Sequence, residues 1–469
     1  KHPITKMAKI ERGQNLFNTF NLFIGIMVGS GIFITAIDLA EVLPNSGVTI
    51  SMWLFMGLYS LLGSICFSEL GTCFPDSGGD FLYLQQLFPK LSCFPEVSDL
   101  IAFLRLFIEL FVIRPGTHAI FGLTISEYMI KPFMAGQEEN APTSATTVPE
   151  SLLLDAESQT NNNNNTCEWN RDEIANTSYT VPYEYCCTDR QQDTQKTKIL
   201  VVLLAIFMNL IFTLINGYSI NLTKNLSSVL SIGKIIVLSC IILLGLKTFI
   251  VNEQSQALTW GNEAEQMWDW TRWKYSYSLG QVGATTILAA FVKASYQAQW
   301  SYAGWSDINY CLGEIANPSR NLPLSALMAL PLVTFLYTGI ICCFYSVMTH
   351  TEFICGIKAT ATVFAERALG YFNEPNYWIR GVIAISVSMA NAGVLHSSLF
   401  AGSRLFQAGY KFNHMPAFMG GIHTVHKTPI PSLFVLTAIS IFYCTLPLWP
   451  IFEDPINALV NATCFIYFL

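Results

Sequence analysis

Apolar residues run in long unbroken blocks along this chain, without the strict alternation of a half-buried strand or the narrow stripe of a helix facing water on one side. Blocks of spanning length cover 17–40, 48–70, 97–133, 199–216, 226–251, 279–312, 324–348, 377–408 and 432–448, and a tenth begins near Ile456. A helix of about 20 apolar residues crosses a bilayer. The pattern therefore predicts an all-α polytopic membrane protein of about ten spans. Two blocks carry breaks. The first contains Gly25-Ile-Met27-Val-Gly29-Ser30-Gly31, and the sixth contains Trp300-Ser301-Tyr302-Ala303-Gly304-Trp305, small residues set between aromatics. Clustered glycines lower helix propensity enough for the backbone to unwind.

Composition agrees with the pattern: of 469 residues 52% are hydrophobic and only 12% charged. Lys1, Lys6, Lys9 and Arg12 precede the first span, and no Lys or Arg separates it from the second, which places residues 1–16 in the cytoplasm as an N-terminal tail. Spans one to three then occupy 17–134, an extracellular polar loop 135–197, and spans four to ten 198–469. The net charge of −7 comes mostly from that loop. It also holds the glycosylation acceptors Asn164 and Asn176, and Cys167, Cys186 and Cys187, where disulfides persist. The chain starts at Lys and stops inside an apolar run, which predicts truncation at both ends, with the tenth span incomplete.

Unwound backbone is tolerated at membrane depth where it lines a cavity or meets a ligand, and paired broken helices point to a midplane substrate site. The second half of the first helix would aim N–H groups near Ser30 and Gly31 at a carboxylate. Carbonyls freed around Trp300 and Ala303 would accept from an ammonium. The competing reading of the glycines is close helix packing, and that of Trp300 an interfacial or packing role. Intramembrane charges sharpen the picture. Arg105 and Glu109 stand four residues apart on one helix face, with Arg114 beyond them. Lys234 is a lone cation in an apolar helix; either it snorkels, or carbonyls of the unwound first helix receive it. His396 reads as a packed, hydrogen-bonded residue. No metal-ligand cluster, nucleotide loop or nucleophile–base constellation exceeds chance, so neither an enzyme nor a cofactor is expected, nor a nucleic-acid partner.

Val28-Gly-Ser-Gly-Ile-Phe33, Ser77-Gly-Gly-Asp80, Ile108-Glu-Leu-Phe-Val-Ile-Arg-Pro115, Tyr302-Ala-Gly-Trp305, Asn317-Pro-Ser-Arg-Asn-Leu-Pro323 and Gly402-Ser-Arg-Leu-Phe406 occur in an order and spacing that resemble the light chains of heteromeric amino acid transporters. That family lies within the amino acid-polyamine-organocation superfamily, and the likeness to its L-type members excludes only the insertion 136–195. The resemblance implies a LeuT-like fold of two inverted five-helix repeats with broken first and sixth helices. It implies sodium-independent amino acid exchange across the plasma membrane. It further implies that Met27, Ser30 and Gly31 hold the substrate carboxylate, that Met27, Trp300 and Ala303 carbonyls hold the ammonium with Tyr302 in the same segment, that Trp300 is the gate, and that Lys234 substitutes for a bound sodium. A single-pass glycoprotein heavy chain would be disulfide-linked through Cys186 or Cys187.

Ala303 stands where a carboxylate would favour cationic substrates, so neutral, large side chains are the leading expectation. Two alternatives remain: a broader neutral-plus-cationic exchanger with Asp307 supplying charge, and a non-transporting amino acid sensor on the same scaffold.

Overall fold

The computed structural model describes residues 12–43, 46–91, 95–134, 195–251, 284–348, 360–370, 376–423, 426–449, 458–460 and 462–463. Cys167, Cys186, Cys187, Asn164 and Asn176 lie outside them. Among the described residues the chain is helical, with one isolated bridge between Gln14 and Ile315 and no strand.

The first apolar block is two helices, α1 (Leu16–Met27) and α2 (Gly31–Val42), bent by 44° at the glycine break. Asn15 caps α1 by accepting from the Asn18 N–H at 2.9 Å. The second block is α3 (Ser46–Cys73). A short helix the hydrophobic pattern does not predict, α4 (Gly79–Leu91), follows; Asp80, Gln85, Gln86 and Lys90 keep it below spanning hydropathy. The third block is α5 (Pro95–Ile108) and α6 (Arg114–Met134), joined by a π-turn over Glu109–Ile113. Pro115 follows at the start of α6, where its missing N–H is tolerated. α7 (Gln195–Tyr218) and α8 (Ile220–Val251) are spans four and five. The sixth is α9 (Ala284–Tyr302), four turn residues and a 3-10 segment Asp307–Glu314. α10 (Pro318–Val347) starts at Asn317, left-handed with φ 45°, and Pro318. The short α11 (Thr360–Ala368), α12 (Tyr377–Lys411) and α13 (Ile430–Cys444) complete the order.

Six helices are long and apolar enough to cross a membrane, and the bent α1–α2 pair makes a seventh. The third and sixth apolar blocks are divided by their breaks and do not qualify as single helices. The chain is a multi-pass membrane protein, and its packing follows the logic of lipid. α3 exposes Leu54, Phe55, Leu58, Leu62 and Ile65 while burying Ser60, Ser64 and Ser68 at four-residue spacing. Lipid is as apolar as leucine, so small residues bring helices together and large ones stay outside. At the centre α1 packs on α8, α10 and α12, and α6 on α7, α12 and α13. The two breaks therefore lie inside the bundle.

Candidate substrate site

Both broken helices converge. A Cβ placed on Gly31 would sit 2.8 Å from the Ser301 Cα, so the start of α2 touches the end of α9 with no room for a side chain. Thr35 and Ser301 hydroxyls join across the same contact at 2.7 Å. Gly304, at φ +99°, turns the chain out of α9 through a conformation that disfavours other residues, and its Cα faces Ile26. Between the breaks lies a cavity of about 50 Å³ lined by Met27, Gly29 and Gly31 from the first break, by Gln299, Trp300, Ala303 and Gly304 from the second, and by Arg114, Phe121, Asp307 and Ser398, among others. This volume holds only a few waters. A larger ligand needs the walls to move apart.

Four sequence-predicted residues, Met27, Gly31, Trp300 and Ala303, therefore meet at one cavity. Trp300 stacks on Phe121 with ring centroids 6.2 Å apart and planes at 19°. The Met27 carbonyl accepts from the Tyr337 hydroxyl at 3.2 Å. Gly31 opens α2, where first-turn N–H groups lack intrahelical acceptors. Ser30 and Tyr302 are buried beside the cavity without lining it. The Ser30 N–H donates to Asn391 Oδ1 at 2.7 Å, and its hydroxyl has no hydrogen-bond partner among the described residues. The Tyr302 side chain turns towards α3, its hydroxyl donating to the Trp53 carbonyl at 3.0 Å and its ring meeting Trp53 and Tyr337.

Lys234 is fully buried and does not snorkel. Its Nζ donates to the Gly25 carbonyl at 2.8 Å, in the last turn of α1 where the break removes the intrahelical donors. One turn earlier Ser231 donates to the Asn21 carbonyl at 2.7 Å. α8 thus holds the end of α1 through side chains. His396 is packed as expected, its Nε2 3.0 Å from the Thr223 carbonyl and its Nδ1 3.0 Å from Asn216 Nδ2.

A chain of charges runs from the cavity through the third span. Arg114 grips Asp307 with two guanidinium nitrogens at 2.5 Å each and reaches Glu109 at 2.7 Å. Arg105 then bridges Glu109 at 3.3 Å and Asp80 at 2.5 Å. The π-turn explains the Glu109–Arg114 contact: its wider winding puts residues five apart on one face. α4, missed by the hydrophobic pattern, supplies Asp80 and Tyr83. The Tyr83 hydroxyl donates to Asn309 at 3.0 Å, and burial beside Asp80 pushes its pKa well above the ordinary phenol range. A second buried pair, Arg404 with Glu314 at 2.8 Å, ties α12 to the 3-10 segment.

Sequence reasoning missed Asn391, Tyr337, Gln299 and Ser398. Asn391 and Gln299 carry a usable signal, an amide inside an apolar block; an isolated Tyr or Ser in such a block carries none.

A family model described as amino acid permease matches residues 15–469. The rabbit and human proteins called large neutral amino acids transporter small subunit 2 are each 27% identical over 98% of this chain and 68% of their own length. The mouse b(0,+)-type amino acid transporter 1 is 25% identical over 98% of this chain and 74% of its own. The mouse Asc-type amino acid transporter 1 is 26% identical over 92% of this chain and 64% of its own.

Proposed function

The chain belongs to the amino acid permease family, and from that premise we propose that it is a sodium-independent amino acid exchanger of the plasma membrane, the light subunit of a heterodimer. The observation that carries the site is the meeting of the two breaks at Gly31 and Ser301 around one cavity. There the first turn of α2 offers N–H groups to a carboxylate, and the Met27, Trp300 and Ala303 carbonyls accept from an ammonium. Ser30 acts one residue back, holding the break to α12 through Asn391. Trp300 on Phe121 is the gate, and Tyr302 braces the second break on α3. Lys234 occupies the end of α1 as a fixed cation, so no sodium is required there.

Neutral side chains are the leading substrates. Ile26, Phe121, Trp300 and Val394 give the cavity an apolar wall. Two relatives are named as small subunits, which supports a heavy-chain partner, linked here through Cys186 or Cys187. Asn164 and Asn176 are the proposed glycosylation sites of the same loop.

Leucine uptake in cells expressing the chain with a heavy chain, with sodium replaced by choline, tests the transport reading. Uptake that persists without sodium supports it; uptake that vanishes overturns sodium independence. Mutating both Cys186 and Cys187 to Ser is expected to remove a reducible high-mass band on gels. A band that survives the double change refutes the linkage.

A further inference from the structure

The charges beside the cavity alternate in sign: Asp307, Arg114, Glu109, Arg105, Asp80. Three carboxylates face two guanidiniums, so the chain carries one net negative charge, and it ends at the cavity on Asp307. The other buried cations do not offset it. Lys234 sits on the Gly25 carbonyl and does not line the cavity, and Arg404 is matched by Glu314.

The two ends of the Arg114 contact are unequal. Arg114 is held by two carboxylates and ringed by Tyr310, 4.9 Å from its guanidinium carbon. Asp307 therefore can turn part of its hydrogen bonding to a new cation without leaving Arg114 bare in a buried site, the situation that makes breaking most buried pairs so unfavourable. An independent feature points to the same ligand. Gln299 is 4% exposed and lines the same cavity, and its Oε1 has no hydrogen-bond partner among the described residues.

We infer that Asp307 and Gln299 Oε1 form a cation-accepting end of the substrate cavity, which admits amino acids with an ammonium or guanidinium side chain alongside neutral ones. The inference rests on the transport reading above and extends its substrate class. Asp307 lies four residues beyond Ala303, whose carbonyl is assigned to the α-ammonium, and lysine carries its charge on a flexible four-carbon stem. An incoming side-chain cation extends the alternation by one member and brings the net charge of the chain to zero. An anionic side chain would meet the uncompensated end and is rejected.

Norleucine and lysine separate the charge from the stem, because they share the chain and differ in the ammonium. Each is used to inhibit leucine uptake by the protein co-expressed with a heavy chain, and the ratio of their inhibition constants is the readout. Lysine is expected to inhibit the wild type at concentrations within about tenfold of norleucine. Asp307→Asn is expected to raise the lysine-to-norleucine ratio about tenfold or more, the loss of one charge-assisted hydrogen bond. Gln299→Leu raises it less. Glu109→Gln, outside the cavity lining, raises it too, since Arg114 is then left to Asp307 alone. These two variants carry the test if Asp307→Asn fails to reach the surface. Norleucine inhibition without lysine inhibition in the wild type, or ratios unmoved in the variants, overturns the inference and leaves neutral transport standing. Absence of any amino acid uptake by protein at the surface overturns the transport reading itself.

Discussion

Gly31→Ala adds one methyl group at the point where the broken helices touch. That Cβ would lie 2.8 Å from the Ser301 Cα and 2.9 Å from its hydroxyl oxygen. Ordinary contact begins near 3.4 Å, and the nearer atom is backbone, so α2 and α9 must separate by several tenths of an ångström. Over-packing of this kind costs about 1–3 kcal/mol. If the strain falls on the substrate-bound arrangement, affinity for leucine drops by about fivefold to somewhat over a hundredfold. Gly381→Ala is the control: it is also a helical glycine, but nothing lies within 4 Å of an added Cβ, and the change should stabilise by about 0.5–1 kcal/mol through helix propensity. The assay is leucine uptake kinetics normalised to surface-biotinylated protein, with thermal unfolding in detergent alongside. A Gly31→Ala variant with wild-type KM and maximal rate would refute the convergence of the two breaks.

Lys234→Met keeps the length of the side chain and removes the cation from the Gly25 carbonyl. It is expected to reach the surface and to lose about tenfold or more of its uptake, one charge-assisted hydrogen bond at the end of α1; normal uptake refutes the role of Lys234. Tyr337→Phe removes the donor to the Met27 carbonyl. A net hydrogen bond of about 1 kcal/mol corresponds to a KM change of about fivefold, and an unchanged KM shows that this carbonyl is not part of the binding surface. Trp300→Ala removes the stack on Phe121, and efflux into medium free of amino acids should rise; efflux that stays low denies Trp300 the gate.

The breaks are legible in sequence because glycine clusters contradict the otherwise continuous apolar runs, and a helix broken within lipid has few physical explanations. The Arg105–Glu109 pair is legible from its four-residue spacing. Arg114 and Asp307 are not: they are 193 residues apart, and only the π-turn and the turn after α9 bring them together. The sequence expectation that Asp307 offers a free charge is modified by that pair, which leaves Asp307 as the singly held end of an alternating chain. α4 and α11 escape the hydrophobic pattern because both are short and polar enough to lie outside the spanning runs. The inward turn of Tyr302 onto α3 is equally invisible, since a one-residue rotation decides whether an aromatic at a break faces the cavity or the neighbouring helix.

The central claim is that two broken helices form an amino acid site that alternates between the two sides of the membrane by exchange. Radiolabelled leucine efflux in sodium-free buffer, from cells expressing the protein with a heavy chain, tests it most directly. The account predicts efflux that is low into buffer alone and rises when an unlabelled neutral amino acid is supplied outside. Efflux that is the same with and without external amino acids, from protein shown to be at the surface, would contradict it.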